Sequence, residues 1–103
     1  MIKGTTPTFQ LKVPNTVDLT QASKVYATFK QLTTTITKTG SDITVTAHQV
    51  DVSLTQQETL SLTDSDYIPL EIQLNWLYSG GARASTNVVQ IMVDKNLINE
   101  VLS

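Results

Sequence analysis

The side chains that could support catalysis in this chain are few and widely spaced. His48 is the single histidine and Asp51 is its nearest acid, and the spacing identifies no serine that would complete a Ser-His-Asp triad. His48 and Asp51 would need further ligands to hold a metal ion, and no cysteine is present to supply a thiolate. We therefore interpret His48 as a turn residue and predict a non-enzymatic protein with no catalytic residues, no metal site and no cofactor.

A pair of carboxylates for glycoside hydrolysis would have to come from nine acidic residues. Most of the aspartates lie in predicted loops or at strand ends, where acids are usually solvated: Asp18, Asp42, Asp64, Asp66 and Asp94. Asp64 and Asp66 flank Ser65 in what we interpret as a polar turn. A catalytic pair of two acids that are distant in sequence but close in the folded protein is an open alternative.

The charge pattern and local motifs exclude several further classes of function. The net charge is −2, and the seven basic residues are scattered rather than clustered against phosphates, so nucleic acid is not an expected partner. Gly80-Gly81 lacks the surroundings of a phosphate-binding loop and is predicted to be a turn. No signal peptide and no transmembrane segment are apparent, so we expect no membrane insertion, and no small-molecule substrate is expected.

Two surfaces could bind a ligand if they faced solvent. Trp76 and Tyr78 could form an aromatic platform for a sugar, but their alternation with Ile72 and Leu74 favours core packing. A run of threonines resembles the flat polar faces of ice-binding or adhesion proteins, although threonine is also ordinary on an exposed strand: Thr33, Thr35, Thr37, Thr44 and Thr46.

The clearest structural signal is a C-terminal hairpin that turns at Gly80-Gly81. Apolar residues alternate almost perfectly through residues 68–78, which predicts a half-buried strand. A two-residue turn pairs apolar residues on one face: Ile68 with Val93, Leu70 with Ile91 and Ile72 with Val89. Nearer the turn it sets Trp76 opposite Ser85, Leu74 opposite Asn87 and Tyr78 opposite Arg83. A three-residue loop would instead place Gln90 opposite Ile72, and a four-residue loop would keep the register.

A second hairpin is predicted over residues 33–46, because Gly40-Ser41 suits a type II′ turn. It would pair Ile36 with Val45 and Lys38 with Ile43, and Thr35 with Thr46 and Thr37 with Thr44 as a threonine ladder. A turn at Ala47-His48 would then set Val45 opposite Val50 and Ile43 opposite Val52, which completes a three-stranded meander.

The remaining segments complete an all-β prediction. Apolar alternation predicts strands around Phe9 and around Phe29, with a bulge or a change of sheet near Lys30-Gln31. The sequence Thr55-Gln56-Gln57-Glu58 predicts a capping box and a short helical connector near 55–62. Seventeen threonines also favour strands. We predict one domain over residues 1–103, a two-layer antiparallel β-sandwich, immunoglobulin-like, with about seven strands.

Three segments together resemble a family of small structural proteins, of about this length, from tailed bacteriophages and prophages of Gram-positive bacteria. They are residues 1–8 (MIKGTTPT), residues 54–60 (LTQQETL) and the hairpin from Ile72-Gln73-Leu74-Asn75-Trp76 to Val93. The sequence departs from the commoner pattern of that family at Ala47-His48 and at Gly81-Ala82-Arg83, both in turns. The resemblance implies a β-sandwich associated with the tail or baseplate and no catalytic residues.

These observations predict a non-enzymatic virion module that is made in the bacterial cytoplasm and assembles with other virion proteins, with self-association left open. The alternative is an immunoglobulin-like or carbohydrate-binding adhesion module that presents its loops to a ligand. The C-terminal segment 96–103 has apolar residues at roughly helical spacing and would either cover the sandwich or contact a partner.

Overall fold

The structure, a computed structural model, describes residues 1–86 and 88–93. This part of the chain contains eight strands and one short helix. The strands are β1 (Thr8–Lys12), β2 (Ala22–Gln31), β3 (Thr34–Thr39), β4 (Ile43–Val45), β5 (Gln49–Ser53), β6 (Ser65–Tyr78), β7 (Arg83–Ser85) and β8 (Val89–Val93). The helix α1 spans Gln56–Leu60, and short 3-10 turns cover Leu19–Gln21 and Gly40–Asp42.

The strands form two antiparallel sheets, which confirms the all-β sandwich. The smaller sheet has the order β1-β5-β4, and the larger has β3-β2-β6, with β7 and β8 both paired to β6. Glu71 and Ile72 pair with β2 on one side and with β8 on the other, so β7 and β8 follow one another along the same edge of β6.

One cluster of buried side chains lies between the sheets. Phe9 of β1 and Phe29 of β2 meet there with ring centroids 5.4 Å apart. The predicted alternation of β6 is confirmed, because its inward residues are buried. The buried apolar residues are Val13, Leu19, Val25, Ala27, Phe29, Val50, Val52, Leu54, Leu62, Leu70, Ile72, Leu74, Trp76 and Val93.

The hairpin between β6 and β8 has the predicted register far from the turn and a different one near it. Ile72 pairs with Val89 and Leu70 with Ile91, as predicted. The two-residue turn is wrong, because the amide of Tyr78 donates to the Ala82 carbonyl (2.8 Å), which leaves a three-residue loop. Near that loop the pairs are Trp76 with Ala84 and Leu77 with Arg83, so the predicted Trp76–Ser85 and Tyr78–Arg83 pairs are wrong.

An extra residue between Ser85 and Val89 restores the register that the loop would otherwise have shifted. Two residues of β6 separate Asn75 from Ile72, whereas three separate Ser85 from Val89. The Thr86 hydroxyl accepts a hydrogen bond from the Leu74 amide (3.1 Å), so the irregular position leaves that amide satisfied. The predicted partner of Leu74, Asn87, lies outside the described residues.

At the far end of β6 the predicted Ile68–Val93 pair is also wrong, since Val93 pairs with Ser65 after a register shift. Pro69 lies in the shifted stretch and has no amide hydrogen to donate to the ladder.

The predicted hairpin over residues 33–46 is wrong. β3 pairs with β2, with Ile36 opposite Phe29, while β4 pairs with β5 in the other sheet. The 3-10 turn at Gly40–Asp42 carries the chain between the sheets, so neither the three-stranded meander nor the threonine ladder forms. The turn at Ala47-His48 is confirmed, with Val45 opposite Val50 and Ile43 opposite Val52.

The predicted bulge near Lys30-Gln31 is also wrong, because Gln31 continues the inward face of β2 as a buried polar side chain. Its amide nitrogen donates to the carbonyls of Thr63 (2.8 Å) and Ile68 (3.0 Å). Its amide oxygen accepts from the Thr63 amide (2.7 Å). These bonds satisfy the buried amide and tie Thr63, just before β6, and Ile68 of β6 to the end of β2.

The short helix begins with the predicted capping box. The Glu58 amide donates to the Thr55 hydroxyl (3.1 Å), and the Thr55 amide donates to the Glu58 carboxylate (2.9 Å). The Lys38 ammonium of β3 lies 2.8 Å from the same carboxylate. Burial raises the pKa of Glu58, but Lys38 and Thr55 outweigh it and hold that pKa below its ordinary value.

Candidate functional site

The side chains of His48 and Asp51 have different hydrogen-bond partners. His48 is exposed in the turn between β4 and β5, and its Nδ1 lies 2.7 Å from the Val17 carbonyl oxygen. Asp51 accepts instead from the Gln49 side-chain amide (2.7 Å). Within residues 1–86 and 88–93, no group of three or more histidine, cysteine or acidic side chains could hold a metal ion.

Two of the aspartates predicted to be solvated, Asp18 and Asp64, have polar partners. The predicted polar turn around Ser65 is wrong, because β6 begins at that residue. Asp18 accepts from the amide and hydroxyl of Thr20, and these bonds lower its pKa. Asp64 lies 3.6 Å from the Lys3 ammonium. Asp42 ends the 3-10 turn between β3 and β4. Asp94 and the C-terminal segment 96–103 lie outside the described residues.

The aromatic pair predicted to belong to the core does so. Trp76 is 4% exposed, and its indole nitrogen donates to the hydroxyl of Tyr78 (3.0 Å), which is half-buried. The indole face therefore does not form an exposed sugar platform.

Strand β8 and the residue that precedes it expose apolar side chains at the edge of the larger sheet. Val88, Val89 and Met92 are 47%, 52% and 45% exposed. In the described part of the chain β8 pairs with β6 alone, and the N-terminal amine donates to the Met92 carbonyl (3.2 Å) at the far end of the strand. We call Val88–Val93 the β8 edge.

A shallow groove of about 330 Å³ crosses the outer face of the larger sheet. Register places Tyr26 beside Asn75, Thr28 beside Thr37, and Leu77 beside Arg83. We call the surface formed by these six residues the outer-face groove. The Arg83 guanidinium donates to the Asn75 side-chain oxygen (3.3 Å) across the strands.

Sequence reasoning missed the outer-face groove. Its residues come from four strands, and its formation required β3 to pair with β2, whereas β3 was predicted to pair with β4. The only local signal was the polar alternation of β6, which marked Asn75 as outward-facing without naming its neighbours on β2.

Comparison with known protein families finds no matching model, and searches of curated proteins and of solved structures find no significant match. Within the described residues, no helix is long and apolar enough to cross a membrane. The fold thus defines an all-β, two-sheet sandwich.

Proposed function

We propose that the chain is a non-enzymatic structural module of a tailed-phage virion, in the tail or baseplate, and that it joins a neighbouring subunit through the β8 edge. The observation that carries the proposal is the exposure of Val88, Val89 and Met92 along that edge. The virion context rests on the sequence resemblance to small phage structural proteins.

Charge, proline and very short length are among the features that usually keep edge strands from pairing with other chains, and the five residues of β8 have none of these three. The edge strands β1 and β3 each carry a lysine, Lys12 and Lys38, and β4 is only three residues long. β8 has five residues with the sequence VQIMV, without a charge or a proline. An edge of this kind suits addition of a strand from a partner.

The expected partner is a strand of another virion protein. Backbone hydrogen bonds along β8 would supply register, and burial of Val89 and Met92 would supply most of the favourable free energy. If the β8 strands of two copies pair with each other instead, the partner is a second copy of this chain and the protein forms a homo-oligomer.

Particles produced from the encoding phage genome provide the test. A tagged copy should be found in purified virions by mass spectrometry and located on the tail by electron microscopy. Met92→Lys and Val89→Lys should leave a folded protein that is lost from particles, because the added charge opposes strand addition at β8. Val45→Lys, at a similarly apolar position on β4, is the matched control and should be incorporated normally.

Absence of the wild-type protein from purified virions would refute the structural role. Normal incorporation of both β8 variants would refute the assignment to this edge. Stability of each purified variant, followed by Trp76 fluorescence, separates a loss of assembly from a loss of folding.

A further inference from the structure

Several hydroxyls of the outer-face groove make no hydrogen bond among the described residues, unlike the hydroxyls around them. The Thr39 hydroxyl donates to the Val25 carbonyl (2.8 Å), and the Ser23 hydroxyl donates to the Leu77 carbonyl (2.9 Å). Across the residues that the structure describes, the hydroxyls of Tyr26, Thr28 and Thr37 make no such bonds. Three hydroxyls are therefore available on one surface.

The groove also carries the positive charge of Arg83, which forms no salt bridge with any acid that the structure describes. Lys3 forms a salt bridge with Asp64 and Lys38 forms one with Glu58, and neither involves Arg83. Lys24 is exposed and pairs with Leu77 in register, so a second cation flanks the groove on the side away from β7. A guanidinium with free N–H groups favours a carboxylate or phosphate group.

Apolar surface completes the arrangement. Tyr26 and Leu77 lie diagonally on neighbouring strands and are both partly buried, so a ring and an aliphatic side chain form adjacent parts of the groove. A sugar ring presents C–H groups to such a surface and hydroxyls to the polar groups around it. The volume of about 330 Å³ falls at the small end of ligand sites and suits one or two rings.

We propose that the outer-face groove binds an anionic saccharide, a polyhydroxylated ring that carries a carboxylate or phosphate, with Arg83 contacting the anion. Tyr26 and Leu77 contact the ring, and Thr28, Thr37 and the Asn75 amide nitrogen hydrogen-bond to its hydroxyls. This site is separate from the β8 edge, so failure of either proposal leaves the other standing.

Nuclear magnetic resonance titration of the full chain tests the site. Methyl glucuronide, glucose 6-phosphate, neutral methyl glucoside and inorganic phosphate are compared as probes at millimolar concentrations. At least one anionic sugar should shift amide signals of β2, β3 and β6 around the groove, and it should bind more tightly than the neutral glucoside and inorganic phosphate. Whether the carboxylate or the phosphate sugar binds more tightly identifies the anion.

Two variants with matched controls locate the contacts. Arg83→Gln should weaken binding of the anionic sugar roughly tenfold, because it removes a charge-assisted hydrogen bond. Thr37→Val should weaken it by about threefold, the effect of one neutral hydrogen bond. Lys12→Gln and Thr44→Val make the same kinds of change on the smaller sheet and should leave affinity unchanged.

Three results would overturn the proposal. One is absence of shifts in the groove with both anionic sugars. Another is equal affinity for neutral glucoside, or for inorganic phosphate, and for the anionic sugars. The third is Arg83→Gln binding like wild type while the thermal midpoint shows that it is folded.

Discussion

The two glycines of the hairpin loop should respond oppositely to alanine. Gly81 has φ of +91°, whereas the φ of Gly80 lies outside the left-handed region, and a methyl group on either would enter open space. Gly81→Ala should therefore lose about 1–2 kcal/mol from backbone strain alone. Gly80→Ala should gain about 0.4–1 kcal/mol by restricting the unfolded chain. The expected difference is about 2 kcal/mol.

Urea denaturation measures this difference, since the single tryptophan, Trp76, is buried and reports unfolding by fluorescence. A difference of about 2 kcal/mol corresponds to roughly 8–16 °C in thermal midpoint for a domain near this size. A two-residue turn at Gly80-Gly81 would require positive φ at Gly80, so a larger loss for Gly80→Ala would refute the three-residue loop.

Three further changes test the contacts around β2 and α1. Leu32→Gly should stabilise the protein by about 1 kcal/mol, because Leu32 has φ of +53° and is 59% exposed; thermal unfolding measures the gain. Gln31→Leu should cost about 3 kcal/mol in urea denaturation, since its three hydrogen bonds to Thr63 and Ile68 are lost. Glu58→Gln should reduce stability at neutral pH by losing the charge interaction with Lys38, and the difference from wild type should shrink as pH falls.

The sign of the pH effect follows from the lowered pKa of Glu58 in the folded protein. Its contribution is fully present above the unfolded-state pKa and is lost as pH falls through the folded-state pKa. Urea midpoints from neutral pH down to about pH 3 measure it. A difference between wild type and Glu58→Gln that grows on acidification would contradict the assignment.

Matched variants provide controls for Leu32→Gly and Gln31→Leu. Thr33→Gly changes the neighbouring turn residue, whose φ is not positive, and should not stabilise. Gln57→Leu changes an exposed glutamine of α1 and should alter stability by less than about 0.5 kcal/mol. Stabilisation by Thr33→Gly, or equal losses for the two glutamine variants, would contradict the structural reasons given.

Local pattern predicted those elements whose signal is complete within a short stretch of sequence. The capping box at Thr55 and Glu58 needs only residues three apart, and the inward face of β6 needs only alternation. The turn at Ala47-His48 was predicted because apolar residues on both sides had to share one face.

The partner of β3 could not be predicted in the same way. The turn between β2 and β3 places Leu32 at a positive φ, where glycine is usual, so the sequence carries no turn signal there. Gly40 does have positive φ, but it belongs to a crossing between sheets. Favourable burial of Ile36 beside Phe29 then decides the pairing.

The same distinction applies to the C-terminal hairpin and to the surfaces proposed for binding. The sequence by itself determined the all-β class, the inward face of β6 and the pairs Leu70–Ile91 and Ile72–Val89, because these depend on a two-residue period and apolar burial. Only the tertiary structure decided the three-residue loop, the compensating extra residue and the outer-face groove. The groove depends on strands far apart in sequence, such as β2 and β6. The loop and the extra residue depend on backbone hydrogen bonds between β6 and the strands that follow it, and the alternation of side chains does not specify those bonds.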